Sequence, residues 1–260
     1  MILSRRVSLD GIQMDEIDEA VVIRRVDTGV SHESVNAVNR MGGFGQRMTS
    51  QHWETLEVSV AYAIDVNKRE LERRREIFDA VAAWANRKGW LQTTAQPGKR
   101  MRVDKTVMPT AGDLWDWTDE YTIIFRAYGV PFWQADTQSV LEVPGVQIGS
   151  AAFVVSGSIP TVADVTAKNI SGQTIDRISI NVEGNVFSFE NLGLGGNETL
   201  TISHGTDGLL QIRAGTRNAF SLRTPESADD LVCGPGLTRV SVNSQRAVQL
   251  RVTAAGRYVS

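Results

Sequence analysis

A single cysteine, Cys233, stands in a chain of 260 residues, so no internal disulfide forms and no oxidising compartment is implied. Beside Gly234 it reads as a small apolar residue at a strand end. Histidine is scarce as well: His32, His52 and His204 are scattered and lack the spacing of metal ligands, such as a helical i, i+4 pair. No apolar run approaches the roughly 18 residues that a membrane helix needs. Residues 1–6 lack the apolar stretch of a signal peptide. The expectation is a soluble product made in the cytoplasm, with no membrane insertion. There is also no basic surplus. The net charge is −3 and the pI about 5.7, which argues against a dedicated or sequence-specific nucleic-acid binder.

The last absence divides the chain. All six tryptophans (Trp53, Trp84, Trp90, Trp115, Trp117, Trp133) precede Pro144, and none follows it. The acidity is divided in the same way: residues 1–145 carry 18 Lys+Arg against 21 Asp+Glu, and residues 146–260 carry 9 of each. A composition shift of this kind marks a domain boundary, placed near Val143–Gly149, with domains 1–144 and 145–260. Hydrophobic content of 42% and charged content of 22% match soluble globular proteins and exclude wholesale disorder.

The first half reads as strands around one long helix. Asp10-Gly11 between Val7, Leu9 and Ile12 is a two-residue hairpin signal, since both residues tolerate positive φ. Val21–Ile23 forms a further strand. Residues 27–51 show no strong period. Leu56, Val58, Val60 and Tyr62 alternate with Glu57, Ser59 and Ala61, the period of a half-buried strand. A helix is predicted over about 66–88, with Asp65 as N-cap and Lys88-Gly89 as its end. Its apolar stripe is Leu71, Phe78, Val81, Ala82 and Ala85, and Arg73-Arg74-Arg75 with Glu72 and Glu76 form a solvated charged face. Strands follow near 91–94, 99–107 and 121–125. Trp84 and Trp90 are assigned to the core. This order gives an α+β, barrel-like domain. After Val146, short strands near 151–156, 162–168, 175–182, 186–189, 198–203, 208–213, 218–223, 238–242 and 246–252 alternate with turns such as Glu183-Gly184-Asn185 and Asp207-Gly208. That pattern is a β-sandwich or jelly roll.

Nothing in the chain is spaced for chemistry. Gly42-Gly43-Phe44-Gly45 has no Lys-Ser/Thr pair entering a helix and no preceding strand, so it reads as a loop or an inter-subunit contact rather than a phosphate cradle. Asp113, Asp116 and Asp119 lack the glycine of a calcium loop; Trp115 and Trp117 beside them suit packing or partner contact. Asp229-Asp230 would face opposite sides of a strand and make a poor dyad. The expectation is no enzyme, no metal and no cofactor. Gly42, Gly43, Phe44, Gly45, Trp115 and Trp117 are the candidate subunit-interface residues.

The order of these motifs resembles the distal tail proteins of long-tailed bacteriophages. The likeness rests on Gly42-Gly-Phe-Gly-Gln-Arg47, the strand Leu56–Tyr62, the helix closed by Gly89-Trp90-Leu91, and Tyr121-Thr-Ile-Ile-Phe125 running into Pro131-Phe132-Trp133. In the second half it rests on Asn169-Ile-Ser-Gly172, Leu200-Thr-Ile202, Asp207-Gly-Leu-Leu-Gln-Ile212, Ser227-Ala-Asp-Asp-Leu231 and Gly234-Pro-Gly236. The resemblance implies a structural virion protein of the tail tip or baseplate. It would form a homohexameric ring around the DNA channel, between the tail tube protein and the tail-tip hub proteins, in an apparatus for host cell attachment. Residues 1–144 would form the ring, and 145–260 a galectin-like β-sandwich. The inserted carbohydrate-binding module of larger members is not seen. The competing expectations are a carbohydrate-binding tail adhesin, for which the second half lacks a stacking tryptophan, and a tail-associated hydrolase.

Overall fold

The computed structural model describes residues 5–39, 46–67, 69–109, 120–205 and 208–260. The chain is mainly β with one α-helix and divides into two compact units. One comprises residues 1–133 with 259–260, the other residues 134–258.

In the first unit, β1 (Val7–Leu9) and β2 (Ile12–Gln13) form the expected hairpin, with Asp10 at φ 50° and Gly11 at φ 80°, the left-handed pair of a type I′ turn. β3 (Val21–Thr28) follows, then β4 (Glu33–Asn39), β5 (Gln46–Trp53) and β6 (Leu56–Ile64). After the helix α1 (Leu71–Ala85) come β7 (Gly89–Thr93), β8 (Lys99–Val103), β9 (Lys105–Val107) and β10 (Tyr121–Ala127), and β11 (Trp133–Ala135) begins at the last residue before the division. β1 lies between β2 and β7, and β7 pairs with β8. A second sheet runs β3-β6-β10-β9. β6 is its most buried strand: Leu56, Val58, Val60 and Tyr62 are fully enclosed, as the alternation with Glu57 and Ser59 predicts, but Ala61, expected to face outward, is buried too.

The helix is shorter than predicted. Asp65 is no N-cap; its N–H donates to the Ala20 carbonyl. The entering chain instead makes a turn at Asn67, whose Oδ1 accepts the Arg69 N–H and whose carbonyl accepts the Glu70 N–H. The buried stripe is also rotated. Arg74, Ile77, Phe78, Val81, Trp84 and Ala85 face inward, while Leu71 is exposed. Trp84 packs edge-on against Phe125 and donates its indole N–H to the Ile12 carbonyl. Arg74, expected on the solvated face, is covered and donates to the Tyr121 hydroxyl at 3.2 Å. Arg73 keeps the solvent-side role, paired with Asp18 and Glu76.

Residues 27–51, read as aperiodic, contain β4 and β5. These pair antiparallel from Glu33↔Trp53 to Asn39↔Gln46, with a bulge between Asn36 and Ala37. That bulge breaks the period-2 signal. Among the described residues this two-stranded sheet pairs with no other strand.

The second unit is built on two long strands, β12 (Ser139–Val155) and β20 (Gly236–Ala254). Between them come β13 (Thr161–Asn169), β14 (Ile178–Val182), β15 (Asn185–Phe189), β16 (Thr199–His204), β17 (Leu210–Ala214), β18 (Arg217–Asn218) and β19 (Val232–Cys233). β21 (Arg257–Tyr258) closes the unit. The first part of β20 lies between β12 and β14, and the last part between β12 and β13. The strands expected at 238–242 and 246–252 are thus one strand, bulged where Asn243 and Val248 pair with Ile148 and Val146. The expected boundary near Pro144 falls inside β12, and the bulge between Val143 and Val146 absorbs Pro144-Gly145. The units divide instead at Trp133/Gln134. The strand expected at 218–223 is β18 followed by a 3₁₀ turn at Phe220–Leu222. Inward residues of these strands, among them Val165, Ile180, Phe187, Leu200, Ile202, Val242 and Val252, form one hydrophobic core.

At the end of this unit Gly256 lies against the chain at Ser156; a Cβ there would sit 2.2 Å from the Ser156 carbonyl oxygen. Gly256→Ala is expected to cost about 2 kcal/mol through forced backbone displacement. Thermal unfolding of the variant measures it, and an unchanged melting temperature would refute this packing.

Candidate functional site

Two features with functional chemistry stand out, one in each unit. In the second unit the sequence left His204 and Asp230 apart, and the fold joins them. His204 ends β16 beside Asp164 of β13, and Asp230 precedes β19. The imidazole Nδ1 lies 2.9 Å from Asp164 Oδ1 and Nε2 lies 2.9 Å from Asp230 Oδ1. The His204 backbone N–H donates to the same Asp164 oxygen at 3.0 Å, and the Leu231 N–H holds Asp230 at 2.7 Å. Only 9% of the His204 side chain is exposed. Burial alone would lower its pKa, but hydrogen bonds to Asp164 and Asp230 and their charges outweigh it and raise the value from 6.5 to about 9. Asp230 is likewise opposed by burial, yet His204, the Leu231 N–H and Arg257 bring it below the usual carboxylate range. His204 is therefore an imidazolium donating to two carboxylates at neutral pH.

This geometry does not suit catalysis. Both ring nitrogens are occupied, so neither is available as a base, and the carboxylates lie on opposite sides of the ring and do not converge on a point. Among the described residues no group of three His, Cys, Asp or Glu side chains is placed to hold a metal ion. Cys233 is buried, and burial pushes its thiol up to about 11, the character of an inert core residue. Asp229 and Asp230, read as strand residues, lie instead in a bend before β19, and Asp230 is committed to His204.

In the first unit, the outward faces of β7 and β8 carry Trp90 between two arginines. The Arg100 guanidinium lies 4.1 Å from the Trp90 ring centroid and that of Arg102 5.6 Å. Trp90 therefore lies outside the core to which it was assigned. Leu91, Met101 and Val103 fill the core from the opposite face of the same strands, and alternation sends position 90 outward. The candidate interface residues Gly42, Gly43, Phe44, Gly45, Trp115 and Trp117 lie outside the described residues, as does Asp207 of the predicted turn. Gly42–Gly45 fall in the connection between β4 and β5. The described part of that hairpin exposes Val35 and is anchored at its base by Trp53 edge-on to Phe132 at 4.8 Å. No described helix is long and apolar enough to cross a membrane.

No protein-family model matches the chain, and no curated protein sequence matches it. Solved structures do. The crystal structure of SPP1 Dit (gp 19.1), described as a paradigm of the hub adsorption apparatus in phages infecting Gram-positive bacteria, aligns over 97% of this chain and 98% of its own. The TM-score is 0.67 and the identity 10%. Two structures of the phage P2 baseplate in its activated conformation also align. The one with Ca covers 98% of each chain at TM-score 0.47 and 9% identity. The one with Sr covers 96% and 97% at TM-score 0.43 and 11% identity.

The His204 clamp yields a pH dependence of stability. A histidine whose pKa is raised on folding contributes stability that is fully present below its unfolded value and lost as pH rises through the folded one. The second unit should therefore weaken as pH rises through about 9. On the acid side Asp230, lowered on folding, loses its contribution as pH falls through that lowered value. His204→Ala leaves two facing carboxylates without their cation and is expected to cost about 2 kcal/mol at pH 7 and to abolish the alkaline step. Chemical denaturation from pH 6 to pH 10 checks this; a variant that keeps the alkaline step would refute the assignment. What the alignment with SPP1 Dit establishes is architectural: the chain has that fold.

Proposed function

We propose that the chain is a structural virion protein, the distal tail hub of a long-tailed phage, located at the tail tip. The observation that carries this reading is the fold of SPP1 Dit along 97% of the chain, because a hub's work is done by a whole architecture rather than by a pocket. The first unit would assemble as a barrel-like module into a homohexameric ring around the DNA channel, contacting the tail tube protein and the tip hub proteins. The second would project as a galectin-like β-sandwich. The role is non-enzymatic, and the protein is expected to turn over neither peptidoglycan nor polysaccharide.

The β4–β5 hairpin supports the ring. A lone two-stranded sheet is marginal in water, and its unpaired edges invite strands from another chain. Its connection carries Gly42, Gly43, Phe44 and Gly45, which with Trp115 and Trp117 constitute the proposed subunit contact. Closed rings use such heterologous contacts repeated about an axis.

A second reading, a tail adhesin for host glycans, has two grooves of the second unit in its favour, one of about 400 Å³ lined by Gln211, Arg213, Asn218 and the exposed Phe220. The other, a polar groove of about 310 Å³, is lined by Arg177, Ser179, Ser188, Glu190, Asn243 and Gln245. Phe189, its one aromatic residue, is buried and offers no stacking face to a sugar. Binding of glycans by the isolated chain at sub-millimolar affinity would favour this reading over the hub.

Light scattering should give the mass of six copies for the purified protein. Trp115→Ala with Trp117→Ala is expected to shift the protein toward monomer at least tenfold in concentration, since interface aromatics cost about 2 kcal/mol or more when truncated. The circular dichroism of the variant should match wild type. Rings persisting at wild-type concentrations would remove that loop from the interface.

A further inference from the structure

The Arg100–Trp90–Arg102 stack has chemistry that the ring reading does not absorb. Two guanidinium groups crowd one indole on the outward side of β7 and β8, and all three residues are partly covered. Among the described residues no carboxylate pairs with either arginine. The Arg100 Nε is buried and has no hydrogen-bond partner. Exposed Arg87 and Lys88 precede Gly89 and add positive charge, while Asp10 accepts the Trp90 backbone N–H at 2.8 Å and Asp104, two residues past Arg102, accepts the Tyr128 and Gly129 N–H groups. An arginine fork stacked on an aromatic ring is pre-organised for carboxylates or phosphates, and a desolvated donor without an acceptor is costly unless something supplies one.

The complementary charge lies on the same chain. Immediately after β2 come Asp15, Glu16 and Glu19, all exposed and, among the described residues, without a cationic partner. Their neighbour Asp18 is engaged by Arg73. In the sheet order β2-β1-β7-β8 two strands, β1 and β7, stand between β2, from which this acidic segment leaves, and β8, which carries the arginines. Among the described residues no ion pair joins the two patches within one copy. Displaced patches of opposite sign are what a heterologous contact between identical subunits requires.

We infer that the Arg100–Trp90–Arg102 face of one copy docks on the Asp15–Glu19 segment of a second copy. This rests on the ring reading and specifies one of its contacts as ionic. The pairing sets the register between subunits and makes assembly sensitive to salt, because partly exposed ion pairs are screened.

A charge-swap series on the full chain tests it, read by sedimentation velocity across protein concentration at low and high salt. Arg100→Glu with Arg102→Glu should raise the concentration of half-assembly at least tenfold, and so should Asp15→Arg with Glu16→Arg and Glu19→Arg. Mixing the two reversed proteins should restore assembly to within about threefold of wild type. Arg100→Gln with Arg102→Gln, which removes the charge but keeps N–H donors, guards against misfolding and should weaken assembly less than the reversal. If wild type assembles and the reversed variants assemble equally well, the ionic contact is wrong while the ring stands. If wild type stays monomeric at every concentration, the ring reading itself fails. Loss of duplex DNA binding by Arg100→Glu with Arg102→Glu, with assembly unchanged, would assign the face to nucleic acid and overturn the inference.

Discussion

The second unit depends on the hydrogen bonding of one strand. β20 runs for 19 residues and is paired along both edges, with β12 throughout on one side and with β14 and then β13 on the other. Backbone amides so deep in a core must find partners, and here one strand supplies them for three neighbours. The bulge between Asn243 and Val248 lets a single strand serve both parts of the sheet without losing its inside face: Thr238, Val240, Val242 and Ser244 before it and Val248, Leu250, Val252 and Ala254 after it are all buried. The His204 clamp then fastens β16 and the segment before β19 to β13, next to the last paired stretch of β20.

Much of this was legible in the sequence where the signal is local. Asp10-Gly11 and Glu183-Gly184 both adopt positive φ in the turns that the sequence marks, and β6 follows its alternation from Leu56 to Val60, beyond which Ala61 and Ala63 are covered as well. The misreadings share a physical cause. Pro144-Gly145 reads as a break, yet a bulge accommodates it inside β12, because what continues across it is pairing with a strand about a hundred residues later. The helix face was misjudged at Arg74, where a tyrosine hydroxyl from β10 makes an arginine acceptable in the core. Period-2 counting failed in the β4–β5 hairpin because β5 carries one extra residue between Met48 and Ser50, opposite the Asn36–Ala37 step, and that resets the alternation. The candidate site was less legible still. His204, Asp164 and Asp230 carry no spacing signal, since their juxtaposition is made by the pairing of β13 with β16 and the path of the chain into β19. Trp90 was read as core, and the face it shares with Arg100 and Arg102 emerges only from the pairing of β7 with β8.

The functional reading follows from the same separation of roles. The second unit covers His204 between Asp164 and Asp230, and Phe189 in its groove of about 310 Å³ is buried. Among the described residues the first unit exposes Asp15, Glu16 and Glu19 without a salt-bridge partner, has a hairpin that pairs with no further strand, and stacks an indole against two arginines outside the core. Surface of that kind is costly to leave bare and suits repeated contact with copies of itself. In a hub, such contacts are the function.

The most direct measurement is electron microscopy of the purified full-length protein at micromolar concentration and moderate salt. The account predicts closed rings of six subunits around an open lumen, with six lobes outside, one per second unit. Particles that remain single copies across concentrations, or that stack into open filaments without a lumen, would contradict it.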